Sequence, residues 1–308
     1  MSGPVETGEA RSEVATGPTL KVEPSREAKV GEATVLRALP RRGHRTVGAW
    51  CFADHLAPLP ADGGVGTGIG PHPHIGLQTV TWLVEGEVLH HDSLGSEQLI
   101  RPGQLNLMTA GRGIAHAEEG TDGGAGRPKH GIQLWVAQPE ATRHGEPAFE
   151  HHAELPRVEL DGGEAAVLVG SLAGTTSPAR ADTDHVGAEL VLRPGTTVVP
   201  LQPAHEHALV VLAGAVRVDD EVVVPGNLAY LGTARDELAL TATEPTRAVL
   251  LGGTPFESEI SMWWNFVARD HDEITGARAA WQAGDEDRFG DVTSLLGRID
   301  APGLPWAT

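Results

Sequence analysis

The chain has 308 residues and a formal net charge of -19, from 42 acidic and 23 basic residues. A surface of this charge repels phosphate backbones and anionic membranes, so direct nucleic-acid binding is not expected. Cys51 is the only cysteine, which rules out an intrachain disulfide and favours a cytoplasmic location. No signal peptide or membrane span is expected, because no stretch has the roughly 20 apolar residues that a bilayer requires.

Along the chain, residues 1–26 are rich in Gly, Pro, Ser, Thr and Glu, which predicts a flexible N-terminal tail. From about residue 30 to 255, short β-branched runs alternate with Gly and Pro turn signals. Many short strands with frequent turns predict an all-β sandwich or barrel fold. A helical pattern occurs only at residues 272–282, with acidic residues in its first turn, and an extended segment follows it.

The chain also repeats one pattern, in which two histidines at i and i+2 precede a glycine turn and then a Pro-Gly pair. The repeat predicts two homologous β-barrels, an N-terminal one at residues 27–150 and a C-terminal one at 151–270. Residues 271–308 are predicted to form a C-terminal helix and an extended tail.

Two pairs of metal-type ligands, His72 with His74 and His116 with Glu118, lie at i and i+2 in strand-like sequence. Residues at this spacing point to one face of a strand, so neighbouring strands would aim three imidazoles and a carboxylate at one point. Such a donor set suits Fe(II), Mn, Ni, Cu or Zn. In an octahedral ion it leaves two positions open, which indicates a reactive site and not a structural one.

Isolated histidine pairs of this kind are more often ordinary surface or core residues. In the second repeat, His205 and His207 keep the pair, but Leu238 and Leu240 align with the other two ligands. The C-terminal barrel is therefore predicted to bind no metal.

Other motifs have structural interpretations. The glycine-rich residues 64–70 do not match a phosphate-binding spacing and are predicted to form a flexible loop at the site entrance. His90 and His91 are interpreted as structural residues that lead into a turn. The tryptophans are predicted to lie in the core, with one of them lining the cavity. Cys51 is predicted to be buried.

The chain resembles the pirin family of the cupin superfamily. The most specific segment is residues 71–82, PHPHIGLQTVTW, and similar segments occur at 85–88, 91–95, 101–103, 108–118 and 262–267. The resemblance implies two tandem cupin barrels and one divalent transition metal per chain, Fe(II), in the N-terminal barrel. The implied ligands are His72, His74, His116 and Glu118, the same four residues that the spacing indicates.

Two residues differ from many members of the family, which have an arginine after PHPH and a glutamate three residues later. This chain has Ile75 and Gln78 there. That glutamate is not a ligand in pirins, so the metal set is kept, whereas the lining of the cavity mouth is expected to differ.

The resemblance implies two alternative functions. The first is a non-haem iron dioxygenase that acts on a small aromatic substrate, a flavonol such as quercetin, with Glu118 as the catalytic base. The second is an iron-containing regulator that binds a protein partner, either a transcription factor or a metabolic enzyme. Both need the same ligands. The apolar Ile75 and Leu77 beside the ligands favour the enzyme, provided that either side chain faces the cavity.

Overall fold

Strands make up most of the structure in a computed structural model, which describes residues 14–31, 33–59, 64–125 and 127–306. Strands β1 to β12 are Pro18–Pro24, Arg26–Val30, Ala33–Leu39, Trp50–Leu59, Gly68–His74, Leu77–Glu85, Val88–Asp92, Glu97–Ile100, Leu105–Thr109, Ile114–Glu119, Lys129–Ala137 and Ala148–His152. Strands β13 to β26 are Arg157–Leu160, Gly163–Val169, Ser171–Leu172, Thr175–Thr176, His185–Leu192, Gly195–Pro200, Glu206–Ala213, Val216–Val218, Glu221–Val223, Asn227–Gly232, Glu237–Ala242, Thr246–Gly253, Ser261–Trp263 and Phe266–Ala268.

The strands form two barrels, each made of one seven-stranded and one four-stranded antiparallel sheet. In the N-terminal barrel the sheets have the orders β12-β9-β6-β11-β4-β3-β2 and β5-β10-β7-β8. In the C-terminal barrel the orders are β1-β22-β19-β24-β17-β14-β13 and β18-β23-β20-β21. The predicted all-β fold with two barrels is confirmed.

The matching strand orders show how the two repeats correspond. β23 has the same position in its four-stranded sheet as β10 has in the other. Burial alternates along β23, because strand residues two apart share a face, so Leu238 and Leu240 point into the core of the C-terminal barrel. Leucine side chains thus fill the interior where His116 and Glu118 occur in the first repeat.

A continuous hydrophobic core joins the barrels. Trp50 and Trp82 of the first barrel belong to the same buried cluster as Tyr230 and Val249 of the second. The indole Nε1 of Trp50 lies 3.1 Å from the carbonyl oxygens of both Val186 and Gly252. These contacts fix the two barrels against each other.

The N-terminal segment differs from the expected tail. Residues 18–24 form β1, which pairs with the edge strand β22 of the C-terminal barrel, and the partly buried Leu20 and Val22 pack against its core. An edge strand presents unpaired backbone groups, and β1 satisfies them. The strand was not predicted from the sequence, because Leu20 and Val22 are too few alternating apolar residues to indicate a strand. The rest of the expected tail, residues 1–13, lies outside the described residues.

The C-terminal segment returns to the N-terminal barrel. Helix α1, His271–Ala283, begins at the N-cap Asp270 and ends at Gly284, as the helical pattern predicts, and a short helix α2, Glu286–Phe289, follows. Before α1, the β25–β26 hairpin forms a bridge between Phe266 and Ile75, the residue that follows β5. After α2, the amide of Ile299 donates a hydrogen bond to the carbonyl of Pro71. No helix in these described segments is long and apolar enough to span a membrane.

Candidate metal centre

Three buried histidines meet between neighbouring strands of the four-stranded sheet. His72 and His74 lie at the end of β5, and His116 lies on β10 directly opposite His72. Their ligand atoms all lie within 4.8 Å of one another, and the three residues are at most 7% exposed. The structure thus brings together three of the four predicted ligands, in the way that the i, i+2 spacing predicts.

The environment keeps these imidazoles neutral. Burial lowers the pKa of His72 to about 4. Burial, together with the neighbouring imidazoles, holds the pKa of His74 and of His116 well below the ordinary value. A neutral imidazole has a free lone pair, which is the form that binds a metal ion.

Each histidine also has its Nδ1 atom occupied. His72 Nδ1 donates to the carbonyl oxygen of Gly70 at 2.9 Å, and His74 Nδ1 donates to that of Asn265 at 3.0 Å. His116 Nδ1 lies 3.4 Å from His90 Nδ1. A carbonyl can only accept, so the Nδ1 atoms of His72 and His74 must carry the hydrogen. Their Nε2 lone pairs are left to face the centre, as in metal-bound histidines.

The spacing of the Nε2 atoms fits a metal ion. His74 Nε2 and His116 Nε2 lie 3.1 Å apart. Two nitrogen ligands at a right angle, each roughly 2.1 Å from a shared ion, are separated by about 3.0 Å. Two facing lone pairs repel each other, and a cation between them removes the repulsion. The residues therefore fit a divalent transition metal.

Glu118 occupies a different position from the three histidines. It lies two residues beyond His116 on β10, is half-buried, and lines the same cavity. Its carboxylate is not part of the group of ligand atoms within 4.8 Å. A bulge in the pairing of β10 with β5 follows His116 and sets Glu118 opposite Ile69. Its role as fourth ligand therefore remains a prediction.

A second layer of residues supports His116. His90 Nε2 lies 3.1 Å from Asp92 Oδ2, and the His90 ring stacks on Phe149 with centroids 4.5 Å apart. Asp92 Oδ1 in turn accepts hydrogen bonds from the amides of Leu94 and Ser96. The chain His116–His90–Asp92 was not predicted. The signal for it is that His90 and Asp92 are themselves an i, i+2 pair on a strand.

The support of His74 comes from a distant part of the chain. Asn265 is in the turn of the β25–β26 hairpin, which places its carbonyl against His74. In the same turn Trp264 has a φ of 54°, which is costly for a residue with a side chain and recurs at functional sites. Trp263, Trp264 and Phe266 hold the hairpin in a buried cluster with Ile75.

The histidines line a cavity of about 590 Å³ in the N-terminal barrel. This volume lies within the range of about 300–1,000 Å³ that is typical of small-molecule sites. Phe52 and Trp135 stack in its wall with centroids 4.0 Å apart, and Trp135 meets the His74 ring edge to face at 5.2 Å. Leu296 and Ile299 of the C-terminal segment close another side.

The lining corrects one expectation and refines two others. Ile75, Leu77 and Gln78 do not line the cavity, because each is buried in packing elsewhere. The apolar pair beside the ligands therefore gives no support to an aromatic substrate. Trp135 is the tryptophan in the cavity wall, and residues 66–69 of the glycine-rich loop lie at its edge.

In the C-terminal barrel, His205 and His207 are buried with ring centroids 5.9 Å apart. His205 Nε2 lies 3.1 Å from Asp184 Oδ2, within hydrogen-bond distance. Across the described ranges, these histidines belong to no set of three potential ligands. Metal-free behaviour of this barrel remains a prediction.

Comparison with known families gives two matches. The family model described as Pirin matches residues 32–136, and that described as Pirin C-terminal cupin domain matches residues 188–290. The first match contains all four predicted ligands. The second contains Asn265 and α1, so it extends beyond the C-terminal barrel to the hairpin that supports His74.

Among individual proteins, a candidate quercetin 2,3-dioxygenase of Pseudomonas aeruginosa is 47% identical over 285 residues, which cover 92% of this chain and 90% of that protein. A crystal structure of quercetin 2,3-dioxygenase from Acinetobacter baumannii is 43% identical, with a TM-score of 0.89 and coverage of 94% of this chain and 97% of that one. A bacterial pirin from Escherichia coli, in complex with nickel(II), is 17% identical with a TM-score of 0.62, covering 77% and 100% of the two chains. At 17% identity, the similarity to this last structure shows a shared fold only.

Proposed function

Because this chain belongs to the pirin family of the cupin superfamily, we propose that it is a metal-dependent dioxygenase that acts on a flavonol such as quercetin. The observation that carries the proposal is the position of His72, His74 and His116 in the wall of a cavity with aromatic sides. The names of the relatives from Pseudomonas aeruginosa and Acinetobacter baumannii support this substrate class.

The metal of the proposal is Fe(II), held by the three histidines and Glu118. Bound there, the ion would supply two open positions at which an oxygen of the substrate and dioxygen are activated. The indole ring of Trp135, in the cavity wall, packs edge to face against His74. The three imidazoles remain neutral, so they contribute lone pairs and no charge.

The side chains of the protein contribute substrate binding and proton transfer to the proposed reaction. The stacked Phe52 and Trp135 rings offer a flat apolar surface to a planar ligand. Glu118 lines the cavity two residues from His116, so its carboxylate can accept the proton of the flavonol hydroxyl. Ile69, Leu296 and Ile299 cover the ligand from the side of the loop and of the C-terminal segment.

Two variants test the proposal by separate readouts. His116→Ala removes one donor, so elemental analysis should show a large loss of bound metal. Glu118→Gln keeps an oxygen donor but cannot accept a proton. We expect this variant to retain more metal than activity, with oxygen uptake on quercetin reduced by at least about 100-fold, the lower end of general-base effects.

The opposite results would contradict the proposal. Full metal content in the His116→Ala protein would remove the metal assignment. No oxygen uptake by the iron-loaded wild-type protein with any flavonol would favour the regulator, which should then retain a protein partner only in its metal-loaded form. A cytoplasmic location is part of the proposal, in keeping with the single, buried Cys51.

A further inference from the structure

The charged residues of the cavity are not all paired with one another. Asp54 is held by Arg37 through two hydrogen bonds of 2.8 and 2.7 Å. Glu87 accepts a hydrogen bond from Thr121 Oγ1 and lies 4.0 Å from Arg101. Arg127 is exposed to solvent. The remaining charged side chains of the lining are Glu118 and Lys129.

Lys129 is an unusual group for such a cavity. It begins β11, is half-buried, and forms no ion pair within 4.0 Å in the described parts of the chain. Burial lowers its pKa, and the nearby charge of Glu118 acts in the opposite direction. A cation that has lost part of its hydration needs an anionic partner, and Glu118 is the nearby group with that charge.

The proposed metal centre takes this partner away. Three neutral imidazoles and one carboxylate on a divalent ion leave one positive charge on the centre. If Glu118 binds the ion, Lys129 no longer has the full benefit of its charge. The cavity then contains two positive centres, the metal site and Lys129, inside a protein whose net charge is -19.

The two centres are far enough apart for an elongated ligand. Trp135, which touches His74, and Lys129 are six residues apart on β11, a separation of about 20 Å between their Cα atoms. The long side chain of Lys129 brings its ammonium group closer to the ligand than its Cα atom is. Between them, Gln133 and Thr81 line the cavity and are joined by a hydrogen bond of 2.9 Å.

We propose that Lys129 forms an anion subsite of the substrate cavity. The substrate class is a planar phenolic compound with two acidic oxygens, one directed to the histidines and a second, anionic one paired with the Lys129 ammonium. The second oxygen belongs to an ionised hydroxyl or to a carboxylate. This inference rests on the proposed function only in that both place the substrate in the same cavity.

The test compares three ligands on the iron-loaded protein under anaerobic conditions. They are 3-hydroxyflavone and its 4′-hydroxy and 4′-carboxylate derivatives, with dissociation constants measured by calorimetry. We expect the wild-type protein to bind the carboxylate at least about tenfold more tightly than the unsubstituted flavone, a difference of about 1.4 kcal/mol. If the second oxygen of the substrate is an ionised hydroxyl, the 4′-hydroxy ligand should bind more tightly as the pH rises and this hydroxyl ionises.

Lys129→Met should reduce the preference for the carboxylate ligand to less than twofold, whereas Lys129→Arg should keep most of this preference. Arg127→Met is the matched control, because Arg127 also lines the cavity but is exposed, and it should keep the preference. Melting temperatures verify that each variant is folded.

The subsite is wrong if wild-type protein shows no preference, if it binds none of the ligands, or if Lys129→Met keeps the preference. Failure of the proposed function gives a different result. A preference for the carboxylate ligand without oxygen uptake would refute the dioxygenase and leave the subsite in place. Conversely, turnover of quercetin together with an unchanged preference in Lys129→Met would refute the subsite alone.

Discussion

The Nδ1 atoms of His116 and His90 lie 3.4 Å apart in the interior of the N-terminal barrel. One of them must donate and the other accept, and the contact of His90 Nε2 with Asp92 decides which. When a neutral His90 donates from Nε2 to the carboxylate, its Nδ1 accepts from His116. His116 Nε2 is thereby left with its lone pair toward the candidate metal centre.

His90→Phe should weaken metal binding without unfolding the protein. Phenylalanine keeps the stacking on Phe149 but cannot accept a hydrogen bond from His116. Loss of such a supporting contact typically lowers metal affinity by about 10–100-fold. A competition titration with a metal chelator measures the change. His91→Gln is the control, since His91 lies next in the strand and its Nδ1 lies 3.9 Å from a carboxylate oxygen of the exposed Glu97. Equal metal affinities in the two variants would contradict the prediction.

The metal-free protein should lose stability as the pH falls from about 6.5 to 4. Burial lowers the pKa of His55 to about 4, and its Nε2 lies 3.2 Å from that of His130, so protonation would set two donors against each other. A lowered histidine pKa means that the unfolded chain binds more protons in this window. The contribution of His55 is therefore fully present above pH 6.5 and is lost as the pH falls toward 4.

Urea unfolding at a series of pH values measures this effect. His55→Gln should flatten the pH dependence by about 1–3 kcal/mol across the window. His144→Gln changes an exposed histidine and should leave the dependence as in the wild-type protein. A His55→Gln curve parallel to that of the wild type would show that His55 is not a source of the acid sensitivity.

Deletion of residues 1–24 should lower the melting temperature, because it removes β1 and uncovers β22. For a protein of about this size, each kcal/mol lost corresponds to roughly 2–4 °C. Scanning calorimetry compares this form with one that lacks only residues 1–13, which keeps β1. Identical melting temperatures for the two forms would mean that β1 adds nothing to stability.

Local patterns in the sequence predicted much of the fold and of the site. The strand-like runs, the helix at residues 272–282 and the convergence of His72, His74 and His116 depend on neighbours a few residues apart, and the structure confirms them. The strand at Pro18–Pro24 was missed because its pairing partner β22 lies far away in the sequence.

Long-range contacts explain the remaining differences. Ile75 would favour an aromatic substrate only if its side chain faced the cavity, but it packs in a buried cluster with Phe266, which is distant in the sequence. Lys129 and Asn265 reach the cavity only through the packing of β11 and of the C-terminal hairpin. A spacing rule cannot identify such residues, because their proximity arises from tertiary packing.

The hydrogen bond from His74 to Asn265, 191 residues later, has a consequence for biosynthesis. Domains fold in order as the chain leaves the ribosome. All three histidines emerge long before the hairpin that orients His74, and before Leu296 and Ile299, which close the cavity. The proposed metal site is therefore complete only after the hairpin and the C-terminal segment have packed against the N-terminal barrel, so we expect the full-length protein to bind the metal more tightly than a chain that ends before Asn265.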